Sequence, residues 1–255
     1  NTLNKTIKTS KQFVVWYKYY ILPKGIQENE IYIYTNILWK IFTSNVSKLP
    51  YTLDGVIFTP INREYRVHYN DTNKPNEKNI HEYKLKPMEK MSIDFYIEFE
   101  TNKKTGEFVK IFDKTMGDSE YYKCYLFVND TSNHLSHLPV PFRKDYNGHF
   151  TYIPIVENVA KDKGGSIISD KTVIEFTYNN TLPEHFRWTP LKIRTDKTET
   201  IIKYKKNYGN NILTASYTWE IITNPIAFND ISILATGQYN EYIEKLKISL
   251  KDNVG

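Results

Sequence analysis

Residues 92–99 read SIDFYIEF, the first of six short segments that set the character of the chain. Five more follow: EFVKIF at 107–112, YYKCYLFV at 121–128, HFTYIPIV at 149–156, TVIEFTY at 172–178 and FRWTPLKIR at 186–194. Each is rich in β-branched and aromatic side chains, and polar turns separate them. Short strands at this spacing predict a small barrel or sandwich. The turn KDKGGS at 161–166 lacks the spacing of a phosphate-binding loop.

Upstream, QFVVWYKYY at 12–20 and IYIY at 31–34 read as strands, and NILWKIFTS at 36–44 has helical spacing. A short apolar strand, Val56-Ile57-Phe58, follows Asp54-Gly55, and residues 70–80 are polar and turn-rich. YKLKP at 83–87 predicts a strand with Lys84 and Lys86 on one face. Downstream, residues 198–222 have a helix-like rhythm interrupted at Tyr208-Gly209-Asn210, and YNEYIEKLKIS at 239–249 predicts a last amphipathic helix.

With 255 residues, 40% hydrophobic and 15% aromatic, the chain has the composition of a folded protein rather than a disordered one. Its net charge of +5 suits a phosphate-bearing partner and equally a plain basic surface. Five of the 34 basic residues are Arg: Arg63, Arg66, Arg143, Arg187 and Arg194. The guanidinium fork holds phosphate in a way an ammonium does not, so each is a candidate. The single cysteine, Cys124, lies in an apolar run and reads as a buried structural thiol, which fits a reducing compartment. No apolar stretch approaches the ~20 residues of a membrane span. The opening NTLNKTIKTSK has neither an initiator Met nor an apolar signal core, so the chain reads as cut from something longer. The N-x-S/T triplets at Asn45 and Asn129 read as chance in an Asn-rich chain.

Three segments carry candidate chemistry. Asp54 precedes a strand, where an acid can meet a divalent metal near phosphates; Asp-Gly is also a common turn. Lys84 and Lys86 repel unless an anion lies between them; Lys is also common on exposed edge strands. The third segment is Trp188-Thr189-Pro190-Leu191-Lys192-Ile193-Arg194-Thr195-Asp196-Lys197. Alternation predicts Lys192, Arg194 and Asp196 on one strand face, where two cations and an orienting carboxylate can hold a polyphosphate. A surface ion-pair cluster is the plainer alternative. His134-x-x-His137 reads as a loop pair rather than a metal site. Glu98 and Glu100 share a strand face without forming an acid/base dyad. Tyr217 and Trp219 read as packing.

LDGVIFTP, YKLKPMEKMSIDF and WTPLKIRTDKTE resemble, in order, motifs IV, V and VI of the covalent nucleotidyltransferases, in the form found in viral mRNA guanylyltransferases. IIKYKKNYGNNILTASYTWEIITNPI resembles the segment joining guanylyltransferase to cap methyltransferase in large DNA viruses. The resemblance covers roughly residues 50–226. It implies an α+β fold: the C-terminal part of a ligase-type nucleotidyltransferase lobe over 1–90, an OB-fold β-barrel over 91–200 ending in motif VI, and a helical linker over 201–255 leading to a methyltransferase. It also implies transfer of GMP from GTP to a 5′-diphosphate RNA through a lysyl-GMP intermediate. Asp54 would contact Mg2+ or Mn2+; Lys84 and Lys86 would contact the α-phosphate; Asp94 would be the motif V acid. Arg194 and Lys197, with Lys192 and an orienting Asp196, would hold the β- and γ-phosphates. GTP, 5′-diphosphate RNA and a linked or separate cap methyltransferase would be the partners. A viral factory in the cytoplasm, or the virion, would be the location.

Two positions depart from the family pattern: Lys192 where many relatives have Arg, and Leu85 where many have Trp. The nucleophilic Lys-x-Asp-Gly motif and the two motifs that normally follow it do not occur in these 255 residues. They are expected upstream, so this chain alone is expected not to form the adduct. An ATP-dependent ligase fragment and a non-catalytic OB-fold RNA-binding module are the other readings.

Overall fold

The computed structural model describes residues 7–10, 13–15, 20–44, 53–61, 82–117, 119–130, 137–143 and 149–237, with helical positions at 241, 244 and 248. The 70–80 loop, His134, Asn45-Val-Ser47, and most of 12–20 and 239–249 lie outside the described residues. The chain forms two compact units. One comprises Asn1–Pro87 with Ile226–Gly255, and the other Met88–Pro225.

The first unit holds two strand pairs and a helix pair. Strands β1 (Ile7–Ser10) and β2 (Phe13–Val15) are antiparallel. Helix α1 (Glu30–Thr43) packs on α4 (Phe228–Ala235), with Trp39 and Phe228 stacked at 3.9 Å and 13°. Ser232 Oγ donates to Asn36 Oδ1 at 2.9 Å across this contact. IYIY at 31–34 is thus helical, not a strand. The run continues into NILWKIF with no breaker, and packing on α4 overrides β propensity. In helix α4 the turn-like Asn229-Asp230 sits in the first turn, where Asp230 Oδ2 accepts from Ala227 N at 2.9 Å. Strands β3 (Val56–Phe58) and β4 (Tyr83–Leu85) pair antiparallel, setting Ile57 opposite Lys84.

The second unit is a curled antiparallel sheet, a half-barrel, with helices packed on it. Its strands are β5 (Ser92–Phe99), β6 (Lys110–Asp113), β7 (Ser119–Asp130), β8 (Leu138–Pro141), β9 (Phe150–Val156), β10 (Val159–Ala160), β11 (Val173–Tyr178) and β12 (Trp188–Ile193). They run in the order β10-β9-β7-β5-β11-β12, with β6 and β8 also on β7. The sheet curls until β12 approaches β9, where Thr151 Oγ1 donates to Trp188 O at 3.0 Å. Helices α2 (Thr195–Tyr204) and α3 (Ile212–Thr223) follow β12. All six predicted strands are present. Strand β8 carries Pro139 and Pro141; among the described residues it pairs only with β7, and proline is tolerated at such an edge.

Alternation on β5 sends Ile93, Phe95, Ile97 and Phe99 into the hollow of the sheet, where they meet Leu126, Val128, Ile153, Ile174 and Phe176. Ala215 and Ile222 of α3 cover this core. Phe95 is fully buried, with Phe142 and Trp188 rings at 5.0 Å. Cys124 is also fully buried, and desolvation pushes its thiol well above the ordinary range, with the Asp170 charge adding to it. The opposite face of β5 is buried as well: Ile201 of α2 packs on Tyr96 and Val173, with Phe127 and Tyr208 beside them. Strand β5 is therefore closed on both sides, and any polar group on it must find partners inside the protein.

Phe95→Ala is expected to lower stability by about 3–5 kcal/mol. A shift in the denaturant midpoint of that size, with unchanged slope, is the check.

Candidate functional site

The second unit gathers its charge around Asp94, on the α2-facing side of β5. The Asp94 side chain is only 8% exposed, and one oxygen, Oδ2, accepts from both Arg194 Nη1 at 2.7 Å and Lys197 Nζ at 2.5 Å. Arg194 also forks onto Asp196, with Nε donating to Oδ1 at 3.3 Å and Nη2 to Oδ2 at 3.2 Å. Hydrogen bonding to Asp196 raises the Arg194 pKa, against desolvation, with help from the charges of Asp94, Asp196 and Glu175. The same bond holds the Asp196 carboxyl below the usual range.

The strand expected to carry Lys192, Arg194 and Asp196 on one face ends at Ile193, and helix α2 begins at Thr195. Thr198 makes the turn: its Oγ1 accepts from Val173 N at 2.9 Å and donates to Arg194 O at 3.0 Å. Residues three apart share a helix face, so Arg194 and Lys197 reach Asp94 together. Asp196 points elsewhere and is 67% exposed. Lys192 stays exposed on β12, in register with Glu175, which in turn is in register with Asp94. The structure thus brings Asp94, Arg194, Lys197 and Asp196 together and leaves Lys192 beside them.

Two turns hold this arrangement. Asp162, in the KDKGGS turn, accepts from Ser166 N at 2.8 Å and from Ile193 N at 3.2 Å, which pins the end of β12. The Tyr208-Gly209-Asn210 interruption docks on β5 where β7 no longer pairs with it. Asp94 N donates to Asn210 Oδ1, and Asn210 N donates to Asp94 O, both at 2.7 Å. Gly209 has φ +80° and sits so close that a Cβ would lie 2.4 Å from Asp94 O. Only glycine meets both demands. Asn129, buried on β7, receives Tyr208 N at 3.2 Å and donates its own N–H to Asn210 O at 2.8 Å. The sequence marked Gly209 and Asn210 only as a helix break; their positioning role depends on contacts more than 100 residues away in the chain.

The first unit has a second cluster of the same form. Asp54 Oδ2 meets Lys84 Nζ at 2.9 Å and Lys86 Nζ at 2.7 Å. The anion between the two lysines is therefore Asp54. A Cβ on Gly55 would lie 2.2 Å from Leu85 O, so glycine permits the approach of β4 that brings both lysines in. Burial raises the Asp54 pKa, but hydrogen bonds from Lys86 and Lys84 outweigh it and hold the carboxyl low. This cluster is about half exposed, so each pair adds only ~0–1 kcal/mol to folding.

Of the other arginines, Arg187 Nε donates to Leu182 O at 2.9 Å and Arg143 lies 5.6 Å from the Trp219 ring centroid; Arg63 and Arg66 lie outside the described residues. Trp219 packs against the core, as its apolar setting suggested, whereas Tyr217 is exposed. His137 Nδ1 lies 3.3 Å from Asn129 Nδ2. Among the described residues, no group of three His, Cys, Asp or Glu could hold a metal ion, and no helix is long and apolar enough to cross a membrane.

Two outcomes are expected. Lys86→Ala should move the Asp54 carboxyl titration midpoint upward, because one of the two ammonium groups that hold it low is lost, read by carboxyl carbon NMR; an unmoved midpoint contradicts the pairing. Asn210→Ala should cost about 1–3 kcal/mol, because it leaves the buried Asp94 N–H without its acceptor, read from denaturant unfolding.

No family model matches the sequence. A protein of Acanthamoeba polyphaga mimivirus described as "Probable mRNA-capping enzyme" is 34% identical over 244 residues, which is 92% of this chain and 20% of that protein. The chain is similar to this viral protein over nearly its whole length, and it spans about one fifth of that protein's length.

Proposed function

We propose that this chain is the phosphate-holding part of an mRNA guanylyltransferase that transfers GMP from GTP to a 5′-diphosphate RNA end. The observation that carries the reading is the pair of cations, Arg194 and Lys197, held on one oxygen of Asp94. They are already ordered and close together, so polyphosphate can take them over with little new ordering of side chains. Arg194 contributes a planar fork for two phosphate oxygens, and Lys197 a compact charge.

In this reading Arg194 and Lys197 hold the β- and γ-phosphates, with Asp196 orienting the Arg194 fork and Lys192 adding positive charge nearby. Lys84 and Lys86 leave Asp54 for the α-phosphate and stabilise the charge that builds there. A lysine nitrogen attacks the α-phosphorus, the bond to the bridging oxygen breaks, and pyrophosphate leaves in line. The β-phosphate oxygen of the RNA then displaces the lysine. That lysine is not in a Lys-x-Asp-Gly motif of these 255 residues, so the proposal places it elsewhere in a longer polypeptide.

A divalent ion, Mg2+ or Mn2+, fits the residues present in a limited sense. Mg2+ is commonly held by one or two carboxylates together with substrate phosphates, and Asp54 supplies one carboxylate. Such an ion would neutralise phosphate charge when bound. Asp54 would orient it, while Lys84 and Lys86 are released toward the phosphates.

Similarity to a capping enzyme favours GTP over the ATP of a polynucleotide ligase. In the corresponding full-length enzyme, Arg194→Ala and Lys197→Ala are each expected to lower protein labelling from GTP by about 10²–10³-fold, and labelled ATP should give no adduct. Wild-type labelling rates in both variants, or labelling from ATP, would end this reading.

A further inference from the structure

Past the Asp94 cluster, helix α2 carries a feature that triphosphate binding does not use. Its last turn and the following residues read Lys203-Tyr204-Lys205-Lys206. Tyr204 is 56% exposed, and the ammonium groups of Lys203 and Lys206 lie 5.1 and 5.4 Å from its ring centroid. Two lysines flank one exposed ring, and among the described residues no carboxylate forms an ion pair with either. Burial does not explain Tyr204, because the core contact of this helix is Ile201.

The helical repeat ties this patch to the candidate site. Lys197, Thr200 and Tyr204 are spaced three and four apart and so form one stripe. Lys197 and Thr200 line an open cleft of about 370 Å3 whose other walls include Asn207 and Asn211. Seven residues of helix rise about 10 Å, which separates Tyr204 from Lys197 by a short step of extended nucleic acid. The chain bends sharply here, with Lys205 and Asn207 both at positive φ (53° and 65°), which keeps the three lysines clustered.

We propose that Tyr204, Lys203 and Lys206, with the adjoining Asn-lined cleft, dock the single-stranded RNA just downstream of its 5′-diphosphate end. This rests on the capping reading. The chemistry fits a single strand: a base stacks on the exposed ring, the lysines pair with the flanking phosphates, and the cleft gives the strand room beside Lys197. A membrane surface fits less well, since the patch displays one aromatic ring and no broad apolar face.

The test uses the full-length enzyme with Tyr204→Ala, Tyr204→Phe and the pair Lys203→Ala with Lys206→Ala, the two lysines seen against the ring. Labelling from GTP should stay within about twofold of wild type. For a 5′-diphosphate RNA long enough to pass the patch, Tyr204→Ala should raise KM roughly tenfold, and Tyr204→Phe should restore it. A 5′-diphosphate mononucleoside acceptor should show no change. The lysine pair should reduce the salt dependence of RNA affinity by roughly one unit of slope. Equal losses for long and short acceptors, or unchanged RNA affinity in fluorescence anisotropy, would overturn the proposal. Anionic-vesicle binding lost in the variants while RNA affinity holds would overturn it in favour of a membrane. Absence of any wild-type adduct would instead defeat the capping reading, and anisotropy with RNA alone would still judge the patch.

Discussion

One carboxylate oxygen, Asp94 Oδ2, holds two cations that would otherwise repel each other. Two positive charges about 4 Å apart oppose each other by ~4 kcal/mol at an effective dielectric near 20. Asp94 cancels that repulsion and sets both side chains in one place. Its burial makes the anchor firm: truncating one partner of a buried, hydrogen-bonded pair costs about 3–5 kcal/mol. Arg194 and Lys197 are each about a quarter exposed, so solvent and ligands can reach what Asp94 has gathered. In the proposed function, phosphate meets these two cations from their exposed side.

Much of the second unit can be understood as support for that contact. Strand β5 must present a carboxylate on a face that is also packed, so its backbone there needs partners other than β7. The loop at Gly209 and Asn210 supplies them, and Asn129 holds the loop. Asp162 pins the end of β12, and Thr198 turns the chain into α2 so that Arg194 and Lys197 project the same way. The Asp54 cluster follows the same plan with less burial: one carboxylate, two lysines, and a glycine that allows the approach. It adds little to folding, so Lys84 and Lys86 can exchange partners at little cost.

The six strands of the second unit were legible because each alternates or runs apolar over a length typical of strands, with turns between. The clustering of Asp94, Arg194 and Lys197 was not readable from spacing, since these residues are about 100 positions apart. What pointed to them was the resemblance of two motifs to a known family. Local pattern misled at 31–34, where β-branched residues sit in a helix held by α4, an element nearly 200 residues away. It misleads again after Ile193: strand alternation predicts Lys192, Arg194 and Asp196 on one face, three residues past the strand's end, because Thr195 and Thr198 are compatible with either state. The switch to helix is made by a tertiary hydrogen bond from Val173 N. Gly209 and Asn210 were visible as an interruption, but their purpose depends on a distant strand.

In the proposed function, Arg194 and Lys197 must be able to leave Asp94 for phosphate. The most direct measurement is a crystal structure of the full-length enzyme with GTP bound. The expected result is Arg194 and Lys197 within hydrogen-bond distance of the β- and γ-phosphate oxygens, with the Lys197 contact to Asp94 Oδ2 broken or lengthened. A bound nucleotide whose phosphates are met by other groups, while both cations remain on Asp94, would contradict it.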